Sequence, residues 1–229
     1  LTAYSRVRIE VAETPFFSRS VSEFVLNKPR TEYTIYPDII WNYEALKNNV
    51  QAEPVSVAVK VEMNGDDLGQ RVRTFSVRSI NECLLGYVAN GTKFYDTSIF
   101  FAAYVNEENP MIDQLLREAL NTRIVNRFLG YQSQAKGVVD KQVYALWNIL
   151  QKRKFRYSSV SNTSLSSNVV FSQRVRTFDD ALDSSQINCV DGSVLFASLL
   201  RSINIDPILV RTPGHMFVGY YTDNSHKDM

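Results

Sequence analysis

The spacing of hydrophobic positions changes period once along this chain. Over the first hundred or so residues, apolar and polar positions alternate in short runs with the two-residue period of half-buried strands. Such runs fall at residues 7–11, 20–26, 32–36, 54–63, 70–77, 83–88 and 98–105. Their spacing, and the Asn64-Gly65 pair as a hairpin-turn signal, predict an immunoglobulin-like β-sandwich over residues 1–106. Near Asn109 the period becomes helical. Asn109-Pro110 reads as an N-cap followed by proline at the first helical position, with Ile112, Leu115, Leu116, Ala119 and Leu120 forming one apolar face. A second helix is expected over residues 139–150, where Val139, Val143, Leu146 and Leu150 align. These stripes are core faces, since the regular steps are too few for a coiled coil.

The last stretch combines both periods. Asn188 is a preferred N-cap, Asp191 stands in the first turn, and Val190, Val194, Leu195, Leu199 and Ile203 recur at helical spacing. Pro207 ends that helix. Residues 207–210 and 215–221 then read as two strands joined by Thr212-Pro213-Gly214, with His215, Phe217, Gly219 and Tyr221 on one face.

Candidate chemistry enters through two residues. The chain has only two cysteines and two histidines, and one of each lies in this segment, 26 residues apart. Cys189 occupies the first helical position, where free N–H groups and the positive end of the helix dipole favour a thiolate. His215 directly follows a Pro-Gly turn. A lone cysteine on an amphipathic helix is more often core filler. Position at the polar cap, not in the apolar middle, points instead to a nucleophile with an imidazole partner. Cys83, in the apolar run at 82–88, is expected to be a buried core residue, and a Cys83–Cys189 disulfide would disable the nucleophile.

The strings Asn188-Cys189-Val190-Asp191, Leu195-Phe196-Ala197-Ser198-Leu199-Leu200, Pro213-Gly214-His215-Met216-Phe217-Val218-Gly219 and, upstream, Phe155-Arg156-Tyr157-Ser158-Ser159 resemble bacterial members of the transglutaminase-like superfamily. The resemblance covers roughly residues 107–229 and implies a papain-like α+β domain following the sandwich. It implies thiol-dependent acyl transfer by Cys189 and His215, with hydrolysis of a peptide or amide bond favoured. An amine-transferring protein cross-linker uses the same pair, and a catalytically inactive binding or scaffolding module is the rival of another class. It also implies a peptide or protein substrate, no cofactor or metal, and a location in the bacterial cell envelope or outside the cell. The backbone N–H of Cys189 is the expected first oxyanion donor and Gln186 a candidate second.

One departure from the family pattern concerns the third triad member, an acid usually found on the strand after the histidine strand. Asp223 is the nearest acid, eight residues beyond His215. Three alternatives stand: an acid beyond residue 229 in a domain truncated at its C-terminal end, a substitute such as Asp223, or no third member.

Composition bounds the rest. At 229 residues with 45% hydrophobic content, the chain has material for one large or two modest cores. The net charge of +1 says nothing about partners, and the lack of a basic stripe or clustered basic tract argues against nucleic acid. No apolar run reaches transmembrane length, no signal pattern opens the chain, and a start at Leu1 is compatible with a trimmed leader. The Ser/Asn-rich stretch from Ser158 to Gln173 reads as a solvated loop, or as a wall of the substrate cleft. Tyr33, Tyr36, Trp41 and Tyr43 read as half-buried packing, with a binding patch as the alternative.

Overall fold

The computed structural model describes residues 3–133, 135, 137–158 and 167–227. It is a mixed α+β structure in which the described residues up to Ile80 form one compact unit and those from Asn81 onward another.

In the first unit, strands β1 (Ser5–Val11) and β2 (Ser20–Leu26) are followed by a short helix α1 (Tyr43–Asn48) and two long strands, β3 (Glu53–Met63) and β4 (Asp66–Val77). They form one antiparallel sheet in the order β2-β1-β3-β4. The β3–β4 hairpin closes on Asn64 and Gly65, both with positive φ, the geometry of a type I′ turn. Val11, Phe16, Phe17 and Val55 make the small core, and Trp41 meets Phe17 edge-on at 5.6 Å. A single sheet stands here instead of the two stacked sheets of a sandwich. Residues 32–36 form no strand, and Tyr36 and Tyr43 are exposed instead of packed.

The second unit begins with β5 (Glu82–Ala89) and β6 (Lys93–Asp96), then a 3-10 helix (Ser98–Tyr104), and helices α2 (Pro110–Asn121) and α3 (Val138–Lys152). The short strands β7 (Arg156–Tyr157) and β8 (Val170–Arg174), helix α4 (Phe178–Ser184) and strand β9 (Gln186–Ile187) lead into helix α5 (Cys189–Ser202) and the hairpin β10 (Pro207–Thr212) and β11 (His215–Tyr220). The division between units falls earlier than residue 106 because β5 and β6 pair with β8 in a sheet ordered β6-β5-β8. Alternation identifies a strand but not its partner, and the partner here lies some eighty residues on. The apolar run at 98–105 is helical, not extended: the Asp96 carboxylate accepts the Ser98 N–H at 2.8 Å and starts a turn. Phe101 is then buried while Ile99 and Phe100 stay exposed. A short continuous apolar run does not distinguish the two conformations by period.

The helices follow their sequence signals. Asn109 caps α2 with Pro110 in the first turn, and Ile112, Leu115 and Ala119 are fully buried. Helix α5 is buried on nearly every face, as befits a helix packed against α2 and α3 and against the β10–β11 hairpin. Its buried Ser198 is satisfied, donating to the Val194 carbonyl and accepting the Asn106 N–H. Gln142, buried in α3, uses both ends of its amide to hold the loop at Leu129 and Gly130. Of the stretch at 158–173, residues 159–166 lie outside the described residues, and the end of it is β8, not loop.

One electrostatic feature of the first unit is testable. Glu10 is gripped by Arg19 at 2.7 Å and Arg8 at 3.0 Å, and these guanidinium groups lower its pKa from the ordinary 4.5 to about 2. A carboxylate with a depressed folded-state pKa stabilises the fold above its unfolded pKa and loses that contribution as pH falls through the folded value. The urea midpoint of this unit should therefore drop between pH 4.5 and about pH 2, and Glu10→Gln should flatten part of that slope.

Candidate active site

Cys189 opens α5 because Asn188 and Asp191 build a capping box around it. The Asn188 Oδ1 accepts the Asp191 N–H at 2.9 Å, and the Asp191 Oδ2 accepts the Asn188 N–H at 3.0 Å. Asp191 is buried and does more than cap. Its Oδ1 accepts the Arg176 N–H at 2.9 Å, and its Oδ2 accepts Arg176 Nη1 at 2.6 Å. Arg176 Nη2 in turn donates to Ser158 Oγ at 3.3 Å. Three segments are thus joined at one point: the end of β7, the approach to α4 and the start of α5.

His215 is the first residue of β11, paired with Thr212 across the hairpin turn. Proline at 213 and a φ of +77° at Gly214 match the residue order of a type II turn, which needs a left-handed residue at its second central position. The register buries Met216 against the core and leaves His215 and Phe217 facing outward. Cys189 and His215 line the same cleft, of about 640 Å³, with the remaining walls supplied largely by Trp147, Phe155, Phe196 and Phe217. Trp147 and Phe196 meet edge-on at 6.0 Å across α3 and α5. A second cavity of about 130 Å³ flanks the pair and is lined by Gln173, Arg211 and Gly214. Both cysteines are free thiols.

The structure also brings in Tyr157. Strand β7 runs parallel to β9, with Tyr157 opposite Ile187, two residues before Cys189. Its ring lines the same cleft, where electrostatic repulsion from the neighbouring Cys189 sulfur raises the Tyr157 pKa above its ordinary value. Tyr157 belongs to the upstream string noted in the sequence, but a two-residue parallel pairing has no local pattern that would announce it.

Two sequence candidates stand apart from the cleft. Gln186 is exposed on β9 and is not among the cleft-lining residues. Its strand alternates with Ile187, so a side chain one position away from the wall points elsewhere. Asp223 lies in the turn beyond β11, where its carboxylate accepts the Ser225 N–H at 2.7 Å and these Ser225 contacts lower its pKa. The His215 ring has no hydrogen-bond partner among the described residues. No group of three or more potential metal-ligating His, Cys, Asp or Glu side chains occurs among them either, and no described helix is long and apolar enough to cross a membrane.

Comparison of this chain with protein-family models, with curated proteins and with solved structures found no match.

Removing Arg176 would leave the Asp191 carboxylate buried without its cation. Arg176→Met should cost about 3–5 kcal/mol of stability in chemical denaturation, and the Arg176→Met/Asp191→Leu pair should cost less than the sum of its single changes. Tyr157→Phe removes one donor from an exposed ring, so the fold should keep its melting temperature.

Proposed function

We propose that this chain is a thiol-dependent acyl-transfer enzyme of transglutaminase-like character, with hydrolysis of a peptide or amide bond as its reaction. The observation that carries the reading is the placement of Cys189 at the capped start of a buried helix, in a cleft it shares with His215. A cysteine serving only as core filler would sit in the apolar middle of α5, beside Leu199 and Leu200. Cys83 illustrates that alternative. It is buried, and burial raises its pKa to about 11, so it is a thiol at neutral pH.

In the proposed reaction the Cys189 sulfur attacks the carbonyl carbon, forming a C–S bond as the carbonyl oxygen takes the negative charge. The Cys189 backbone N–H, at a helix start, is aimed to receive that charge. The His215 imidazolium gives its proton to the leaving nitrogen as the C–N bond breaks, leaving a thioester. Water, deprotonated by the neutral imidazole, then cleaves the thioester and restores the thiol. An amine in place of water gives cross-linking by the same steps.

The unpartnered ring of His215 supports a second reading, a binding module built on the same framework without turnover. A histidine whose second nitrogen lacks an acceptor is poorly held in the tautomer the reaction needs.

Iodoacetamide at pH 7 separates active thiol from inert thiol by mass spectrometry of the labelled peptides. The Cys189 peptide should be modified quickly and the Cys83 peptide should not, since a thiol with a pKa of about 11 is ionised to only about one part in ten thousand at that pH. His215→Ala should lower turnover of amide substrates by about a hundredfold to ten-thousandfold while the protein stays folded. Rapid Cys189 labelling with no turnover of any peptide or amide substrate would favour the binding module.

A further inference from the structure

The two cavities that meet at Cys189 and His215 differ in size and chemistry, and this difference bears on what the site accepts. The larger, about 640 Å³, is walled by aromatic rings, two of which are half exposed with nothing covering them: Trp147 at 49% and Phe217 at 47%. Among the described residues that line it, Lys154 is the one lysine or arginine and no carboxylate occurs. The smaller is about 130 Å³. Its one guanidinium, Arg211, is already neutralised by Asp96 at 2.9 Å.

We infer that this site selects a substrate carrying a large apolar group, aromatic or branched aliphatic, on one side of the reacting carbonyl and a small group on the other. The inference rests on the acyl-transfer reading of Cys189 and His215. An apolar group filling the larger cavity releases water from the exposed faces of Trp147 and Phe217. An ammonium group there would lose its hydration, meet no carboxylate and face Lys154. The smaller cavity has about a fifth of the larger one's volume and so favours the smaller group on the far side of the bond.

N-substituted 2-chloroacetamides test this directly, because the sulfur displaces chloride and the substituent reports on the cavity. Rates of Cys189 alkylation are measured for benzyl, isobutyl, aminoethyl and unsubstituted reagents, each divided by its rate with a free thiol. The benzyl reagent should react at least tenfold faster than the aminoethyl one, and Trp147→Ser or Phe217→Ser should reduce that ratio at least threefold. Equal normalised rates for all substituents, with Cys189 still reactive, would overturn the inference and leave the thiol reading standing. Failure of Cys189 to react even with the unsubstituted reagent would instead remove the thiol reading. In that case the unreactive N-benzylacetamide and N-aminoethylacetamide, titrated against the Cys189→Ala protein by NMR, decide the cavity's preference: binding of the benzyl compound alone upholds it, and binding of neither at millimolar concentration, or of both equally, overturns it.

Discussion

The buried Asp191 carboxylate organises the second unit's chemistry. A charge at that depth is tolerated only where donors surround it, and here the Asn188 and Arg176 backbone N–H groups and the Arg176 guanidinium all converge on it. Meeting that requirement fixes where α5 begins, and therefore where Cys189 lies. It also has an electrostatic consequence for the thiol. The Asp191 charge lies two residues from Cys189 in the first turn, and the Arg176 guanidinium at 2.6 Å offsets it. Through Ser158 the same guanidinium reaches the end of β7, which carries Tyr157. Cys189 and Tyr157 are thus both positioned by one ion pair.

Much of the local structure was legible because it is encoded locally. The Asn109-Pro110 start of α2, the Asn188 cap of α5, the Asn64-Gly65 turn and the Pro213-Gly214 turn each depend on residues within a few positions of one another. The long-range arrangement was not. Strand β5 alternates as a sandwich strand does, yet it belongs to the second unit and pairs there with β8, and nothing near Cys83 specifies Gln173 as its neighbour. The run containing Phe101 was ambiguous between strand and helix, and the Asp96 side chain tipped it towards a turn.

The site divides in the same way. Cys189 and His215 were readable because a cap and a turn place each of them at the head of its element. Arg176 and Tyr157 escaped notice because their roles exist only after distant segments meet. Asp223 and Gln186 were chosen for closeness in sequence. The turn after β11 and the alternation of β9 carry them away from the cleft, so closeness along the chain was the wrong measure for a group that must approach a ring in space.

The parallel pairing of β7 with β9 is only two residues long. Its flanking hydrogen bonds, from the Arg156 N–H to the Ser185 carbonyl and from the Ser158 N–H to the Ile187 carbonyl, leave few rungs to hold the strand. So short a ladder opens at a free-energy cost well below that of global unfolding. The phenol beside the sulfur is therefore mounted on a segment that can part from its neighbour while α5 stays intact. Amide exchange at Arg156 and Ser158 would be governed by these local openings, and the wall of the cleft that Tyr157 supplies would part from Cys189 without any rearrangement of the core.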